Sequence, residues 1–276
     1  MDVRPRRHSA RLKVTPADTT TRMLFTVARL AATGSGDTQA MGTAFFFSSG
    51  APEKPFECLV TNKHVIEGAQ SISFYLHGAA TGTPQYANLG TQTLYTSKAS
   101  DWIHHRDPNV DLCCLPVATF LSEQQRSSVF YLAIPTTSIL SQEQLEACPA
   151  SIGVAMIGYP NGLWDKTNGL PIIRHGTTAS HPGVPFDGSD EVVVDIACFP
   201  GSSGSPIMFS EPSYFASAQK FLGVLHAGPT ITIEGKVLVS KIPTTNSSKT
   251  LVETMMHLGF AISAKKVREL ADWAQA

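Results

Sequence analysis

A chain of 276 residues, 42% of them hydrophobic, can bury the core of one large all-β domain or of two small lobes. Charged residues make up 16% of it, below the usual fraction of roughly a quarter. The net charge of −1 gives no overall pull toward nucleic acid or an anionic membrane, so neither is an expected partner.

Residues 1–20 read as an extension. Arg4, Arg6, Arg7, Arg11 and Lys13 form the one basic cluster. With no aromatic residue between the charges, a solvated, mobile tail is expected rather than a nucleic-acid arm. No apolar segment follows Arg6-Arg7, and no stretch reaches the length of a membrane span. The five cysteines, Cys58, Cys113, Cys114, Cys148 and Cys198, are odd in number and lack a framework spacing. Neighbours Cys113 and Cys114 would point to opposite faces of a strand. Reduced thiols and a cytoplasmic location are therefore expected.

Short β-branched and aromatic segments follow, at Met23–Leu30, Gly42–Phe47, Glu57–Thr61, Ser71–Leu76, Leu94–Thr96 and Asp111–Val117. Turn signals such as Gly34-Ser35-Gly36-Asp37 and Asp107-Pro108-Asn109 separate them. Ser141 and Gln144 have the spacing of a helix capping box. A second set of strands is predicted at Ser151–Gly158, Ile172–Ala179, Glu191–Cys198, Ser205–Phe209, Phe221–His226, Lys236–Ser240 and Gly259–Ile262. Val267, Leu270, Ala271 and Ala274 then recur at helical spacing from about Ala264. Strands at this spacing suggest a barrel or a sandwich, and the predicted fold is all-β: two β lobes, at 21–125 and 126–262, with a C-terminal helix over 263–276.

Three motifs carry chemistry, each modest alone. In Leu59-Val60-Thr61-Asn62-Lys63-His64, a strand ends at Thr61 and His64 sits in the turn beyond; alone, this reads as a surface loop histidine. In Asp111-Leu112-Cys113-Cys114-Leu115, a carboxylate opens an apolar strand, where partial burial would require a hydrogen-bonded partner. In Gly201-Ser202-Ser203-Gly204-Ser205-Pro206, small residues flank Ser203 in a turn between strands. A substrate backbone can approach closely there, and the N–H groups of Gly201 and Ser203 can aim at one spot, as an oxyanion hole requires. The chain order His, Asp, Ser is that of chymotrypsin-like proteases; α/β-hydrolases and subtilisins use other orders. The spacing puts His64 and Asp111 in the first lobe and Ser203 in the second.

The chain resembles the trypsin-like serine proteases, and among them the bacterial Deg/HtrA branch. The resemblance rests on Asp195-Ile-Ala-Cys-Phe-Pro-Gly-Ser-Ser-Gly-Ser-Pro206, on Leu258-Gly259-Phe260-Ala261-Ile262-Ser263 and on Ile157-Gly158-Tyr159-Pro160. It implies that the two lobes are antiparallel six-stranded β-barrels and that the chain is a serine endopeptidase acting on protein or peptide substrates. Ser203 would be the nucleophile, His64 the general base, Asp111 the orienting carboxylate, and Gly201 and Ser203 the oxyanion hole. It also implies a pocket for the residue before the scissile bond, lined by Ala197, Cys198, His226, Gly228 and Pro229. No acidic residue lies among these, which argues against a Lys or Arg preference. Glutamyl endopeptidases and several viral chymotrypsin-like proteases carry a histidine where His226 falls, and a histidine there can donate to a Glu or Gln side chain; a small or medium uncharged side chain is the other expectation.

Two departures matter. Ser202 stands where zymogen-activated relatives carry an Asp that pairs with a freed amino terminus, so no such switch is expected. A PDZ module is not expected after the second lobe. Neither a metal nor a cofactor is expected: His104-His105 lacks a second ligand pair, and no HExxH occurs. Rival readings are an esterase, a non-catalytic peptide-binding module, and an effector silent until a protein partner orders the nucleophile loop.

Overall fold

The computed structural model describes residues 11–13, 19–35, 39–51, 53–79, 86–211, 219–236 and 249–276. Strand β1 (Arg11–Lys13) and helix α1 (Thr19–Met23) precede β2 (Val27–Gly34), β3 (Gln39–Ala51) and β4 (Lys54–Thr61). Helix α2 (Lys63–Ile66) leads to β5 (Ala69–Ala79), β6 (Tyr86–Lys98), β7 (Ile103–His104) and β8 (Cys113–Pro116). Helix α3 (Glu123–Arg126), β9 (Val129–Phe130), β10 (Ile134–Pro135) and α4 (Gln142–Glu146) cross to the second lobe. There the strands are β11 (Gly153–Gly158), β12 (Ile172–Thr178), β13 (Glu191–Asp195), β14 (Pro206–Phe209) and β15 (Phe221–Ala227). A hairpin, β16 (Thr230–Lys236) and β17 (Lys249–Met255), precedes β18 (Leu258–Ser263) and helix α5 (Ala264–Gln275).

The second lobe is a closed barrel, β11-β12-β13-β18-β15-β14, as the sequence predicts. The first is not a closed six-stranded barrel, which corrects the expectation. It is a ten-stranded sheet in the order β1-β6-β5-β2-β3-β4-β8-β7, with β9 and β10 on its flanks. A turn at Ala99–Asp101 breaks the strand that would close the ring. The Asp101 carboxylate accepts from the Lys98 N–H at 2.9 Å, and the Trp102 indole N–H donates to Ser97 Oγ at 3.0 Å. Before that turn β6 pairs with β5, and after it β7 pairs with β8. Chain continuity, not a hydrogen-bonded ladder, completes the circuit.

Within the stretch read as an extension, β1 pairs antiparallel with β6. Of the strand predicted at Lys236–Ser240, the positions beyond Lys236 lie outside the described residues. The capping box at Ser141 forms: Ser141 Oγ accepts from the Gln144 N–H at 3.2 Å, and Gln144 Oε1 accepts from the Ser141 N–H at 2.9 Å.

One apolar core joins the lobes. Phe45, Phe47, Val60, Leu112 and Cys114 of the first meet Ile157, Met208, Val224 and Ile262 of the second. Helix α5 adds Val267, Leu270 and Ala271, all fully buried, with Ala274 packed against them. Val267 and Leu270 each contribute about 1.5–3 kcal/mol by leaving water, so α5 fastens one lobe to the other. Cys113 faces the separate core of the first lobe while Cys114 faces the inter-lobe core, as strand alternation requires. All five cysteines are buried and unpaired.

Candidate active site

His64 follows directly on the end of β4. Asn62, fully buried at the helix start, donates from Nδ2 to the Asp111 backbone carbonyl at 2.8 Å. Lys63 Nζ reaches the carbonyls of Asp107 and Pro108 at 3.2 and 3.3 Å. These contacts fold the loop before β8 against α2 and bring Asp111 to His64. Asp111 Oδ1 then accepts from the His64 backbone N–H at 3.1 Å, and Oδ2 lies 2.5 Å from His64 Nδ1. Burial pushes the Asp111 carboxyl up, but the hydrogen bonds and charge of His64 outweigh it and leave the pKa below the ordinary value. With Nδ1 committed to the carboxylate, Nε2 is the nitrogen left to exchange a proton, on a ring with 42% of its side chain exposed.

The turn that carries Ser203 is held by Thr43. The Thr43 N–H donates to the Ser203 carbonyl at 2.9 Å, and its hydroxyl donates to the Gly201 carbonyl at 3.1 Å. Thr61, three residues before His64, donates its hydroxyl to the Thr43 carbonyl at 2.7 Å. The nucleophile turn of the second lobe is thus tied to the strand end that carries the histidine. Gly201 and Gly204 have φ of +84° and +82°. A Cβ at Gly204 would collide with the Thr43 carbonyl and the Thr61 hydroxyl. Glycine is therefore required there on both conformational and steric grounds. Among the described residues, neither the Gly201 nor the Ser203 N–H is taken by a backbone acceptor.

The two adjacent serines have different surroundings. Ser202 is fully buried, and its hydroxyl accepts from Arg174 Nη2 at 2.8 Å and from the Phe199 N–H at 3.4 Å. Ser203 is half-buried between its two glycines. Arg174, from β12, also donates from Nη1 to the Ala197 carbonyl. One guanidinium thus grips both ends of the segment 197–202. Sequence reading missed Arg174; its only signal is a charge within a predicted strand.

Of the other pocket residues, Ala197 is half-buried and Cys198 is buried, its thiol pushed up to about 11 by burial. His226 Nε2 lies 2.8 Å from Glu191 Oε1, off the direction of a good hydrogen bond. Burial lowers the His226 pKa, opposed by the charges of Glu191 and Asp111. Gly228 and Pro229 are half-buried, and the Pro229 carbonyl accepts from the Met256 N–H at 3.0 Å. Among the described residues no group of three or more His, Cys, Asp or Glu is placed to hold a metal ion.

The family model for a trypsin-like peptidase domain matches residues 42–211, more than half of the chain, and spans His64, Asp111 and Ser203. No match was found among curated proteins. Among solved structures, the serine endoprotease from Yersinia pestis superposes with a TM-score of 0.53 at 14% identity, covering 95% of this chain and 67% of that one. A thermostable serine protease, AL20, from an extremophilic microorganism superposes with a TM-score of 0.50 at 13% identity, covering 94% of this chain and 98% of that one. These likenesses agree with the fold, and the family match spans the candidate site. The chain belongs to the trypsin-like peptidase family and is a serine endopeptidase of chymotrypsin-like fold.

Proposed function

We propose that peptide bonds are cleaved here by a His64-Asp111-Ser203 triad with an oxyanion hole formed by the N–H groups of Gly201 and Ser203. The observation that carries this reading is the 2.5 Å His64–Asp111 contact, set on a strand end that Thr43 links to the Ser203 turn. Ser203 Oγ attacks the substrate carbonyl carbon while its proton passes to His64 Nε2. The carbonyl π electrons move onto oxygen, where the two N–H groups receive the negative charge. Collapse expels the amine, which takes the proton from His64 and leaves an acyl ester on Ser203. Water then attacks that ester, giving its proton to His64, and the second collapse returns the proton to Ser203 Oγ. Asp111 holds the ring in the required tautomer and stabilises its cation.

The acyl-side pocket is assigned to Ala197, Cys198, His226, Gly228 and Pro229. Because Glu191 stands beside His226, the small or medium uncharged side chain is the favoured occupant over Glu or Gln. Five buried free thiols support a reducing, cytoplasmic setting. No helix among the described residues is long and apolar enough to cross a membrane.

Turnover of a quenched fluorescent peptide library tests the reading, with wild type compared against Ser203→Ala and His64→Ala. Cleavage by wild type alone is expected; equal cleavage by the variants would refute it. A protein partner that orders the loop is a second reading, favoured by the absence of an Asp at Ser202. It is distinguished by turnover that appears only when the partner is added.

A further inference from the structure

Beside the nucleophile turn, β2 and β3 present one face to the second lobe. Val27 lies opposite Phe45 on that face, and both are buried in the inter-lobe core. Two residues on, Arg29 lies opposite Thr43, which holds the Ser203 carbonyl. Two further, Ala31 lies opposite Met41, which is 40% exposed. Since alternate strand residues share a face, these pairs mark a path from the closed core, past the nucleophile, into solvent. The facing wall is the segment 159–164, where the Asn161 N–H donates to the Pro200 carbonyl at 2.5 Å, directly before Gly201. β15, which carries the acyl-side pocket, flanks the turn from the other direction through Gly204 and Ser205. A peptide whose acyl side lies along β15 therefore sends its leaving-group side along this path.

At the mouth of the path lies a cavity of about 250 Å³ lined by Arg29, Tyr75, Gln92, Tyr159, Trp164 and Lys166. The Arg29 guanidinium carbon is 4.1 Å from the Trp164 ring centre and 5.8 Å from that of Tyr75. The Lys166 ammonium is 5.4 Å from the same indole. Two cations thus lie against one aromatic ring, and among the described residues neither forms an ion pair. Arg29 Nη1 instead points at the Met41 sulfur, 3.6 Å away. The adjacent carboxylate, Asp165, is turned onto its own loop. Its Oδ1 accepts from the N–H groups of Thr167 and Asn168, both at 3.0 Å, and its Oδ2 from Asn168 Nδ2 at 2.7 Å. Cation–π contacts hold the two charges in place without neutralising them, and a guanidinium so placed offers paired donors to a carboxylate.

We propose that this cavity is a substrate subsite on the leaving-group side that takes an Asp or Glu side chain, with Arg29 and Lys166 as its specificity-determining residues. The proposal rests on Ser203 being the nucleophile. The carboxylate would sit between the two cations, its methylene groups against Trp164.

The test uses sets of peptides identical except for Glu, Gln or Lys at successive positions after the scissile bond. At one position the wild type should cleave the Glu peptide with kcat/KM about tenfold above the Gln peptide, with Lys lowest. Added salt should shrink that ratio. Arg29→Glu should invert the order in favour of Lys, and Lys166→Gln, at an exposed position, should reduce the Glu-to-Gln ratio. Equal rates for all three residues at every position would overturn the subsite and leave the nucleophile assignment standing. Failure of the nucleophile assignment shows separately, as cleavage indifferent to Ser203→Ala or as no cleavage at all. Cleavage indifferent to Ser203→Ala would overturn the subsite together with the assignment; where there is no cleavage at all, the Glu and Gln peptides are bound to the Ser203→Ala protein and compared by fluorescence anisotropy. Tighter binding of Glu that Arg29→Glu abolishes would sustain the subsite; equal affinities would overturn it.

Discussion

Arg174 Nη2 donates to the Ser202 hydroxyl at 2.8 Å, one residue before the proposed nucleophile. The same guanidinium holds the Ala197 carbonyl, so a fixed side chain grips the loop at the position where zymogen-activated relatives pair an Asp with a new amino terminus. Removing it should loosen the loop that carries the proposed oxyanion donors, the Gly201 and Ser203 N–H groups. Arg174→Met is expected to lower kcat by about a hundredfold, the usual effect of losing an oxyanion donor, with a smaller change in KM. Binding of a peptide aldehyde, which needs the oxyanion hole, should weaken in parallel. Guanidinium ion added to the variant should recover part of the rate, which a purely structural defect would not allow.

Gly204→Ala places a Cβ against the Thr43 carbonyl and the Thr61 hydroxyl on a backbone at φ +82°. The strain is of order 1–3 kcal/mol before any clash is relieved. Turnover should be lost while circular dichroism stays that of the native fold.

Asp111→Asn keeps the shape of the pair and removes the acceptor-only carboxylate. By analogy with triads generally, kcat should fall about ten-thousand-fold. Because the folded pKa of Asp111 lies below its ordinary value, the stabilisation it supplies is present above that ordinary value and disappears as pH falls through the folded one. Urea titrations of wild type and Asp111→Asn should therefore converge at acid pH.

His77 gives a second pH dependence. Burial lowers its pKa from 6.5 to about 4, so the unfolded chain binds a proton over that interval while the folded one does not. Stability should be full above 6.5 and fall by about 3 kcal/mol as pH drops to 4. His77→Phe, beside the edge-on ring of Phe25, should flatten the profile in that window. An unchanged profile would mean that His77 is not the titrating group.

Leu270 is fully buried where α5 joins the two lobes. Leu270→Ala should cost about 2–5 kcal/mol in chemical denaturation. On the same helix, Trp273 stacks on Arg106 at 3.3 Å and Glu269 lies 3.6 Å from His105. These contacts reach the loop that leads to Asp111, so activity should decline with stability in Trp273→Ala as well.

The strands were legible because they are short runs rich in β-branched and aromatic residues, as in Val192-Val193-Val194, and because glycine and proline mark the turns. Helix α5 was legible from the spacing of Val267, Leu270 and Ala271, and α4 from the Ser141–Gln144 capping box. The open first sheet was not legible, because its break depends on Trp102 reaching back to Ser97, a side-chain contact that no local pattern foretells. His64, Asp111 and Ser203 could be picked out by chain order and the Gly-Ser-rich turn. Thr43 and Arg174 could not, since their roles arise only when strands far apart in sequence meet at the loop. The cavity at Arg29 and Trp164 was hidden for the same reason: its residues come from both lobes.

The most direct measurement is the intact mass of the purified protein after exposure to a fluorophosphonate, for wild type, Ser203→Ala and Ser202→Ala. The account predicts one adduct on wild type, none on Ser203→Ala, and a site at residue 203 on peptide mapping. Ser202→Ala should still be labelled, more slowly because Arg174 has lost its acceptor. An adduct on Ser203→Ala equal to that on wild type, or one mapped to Ser202, would contradict it.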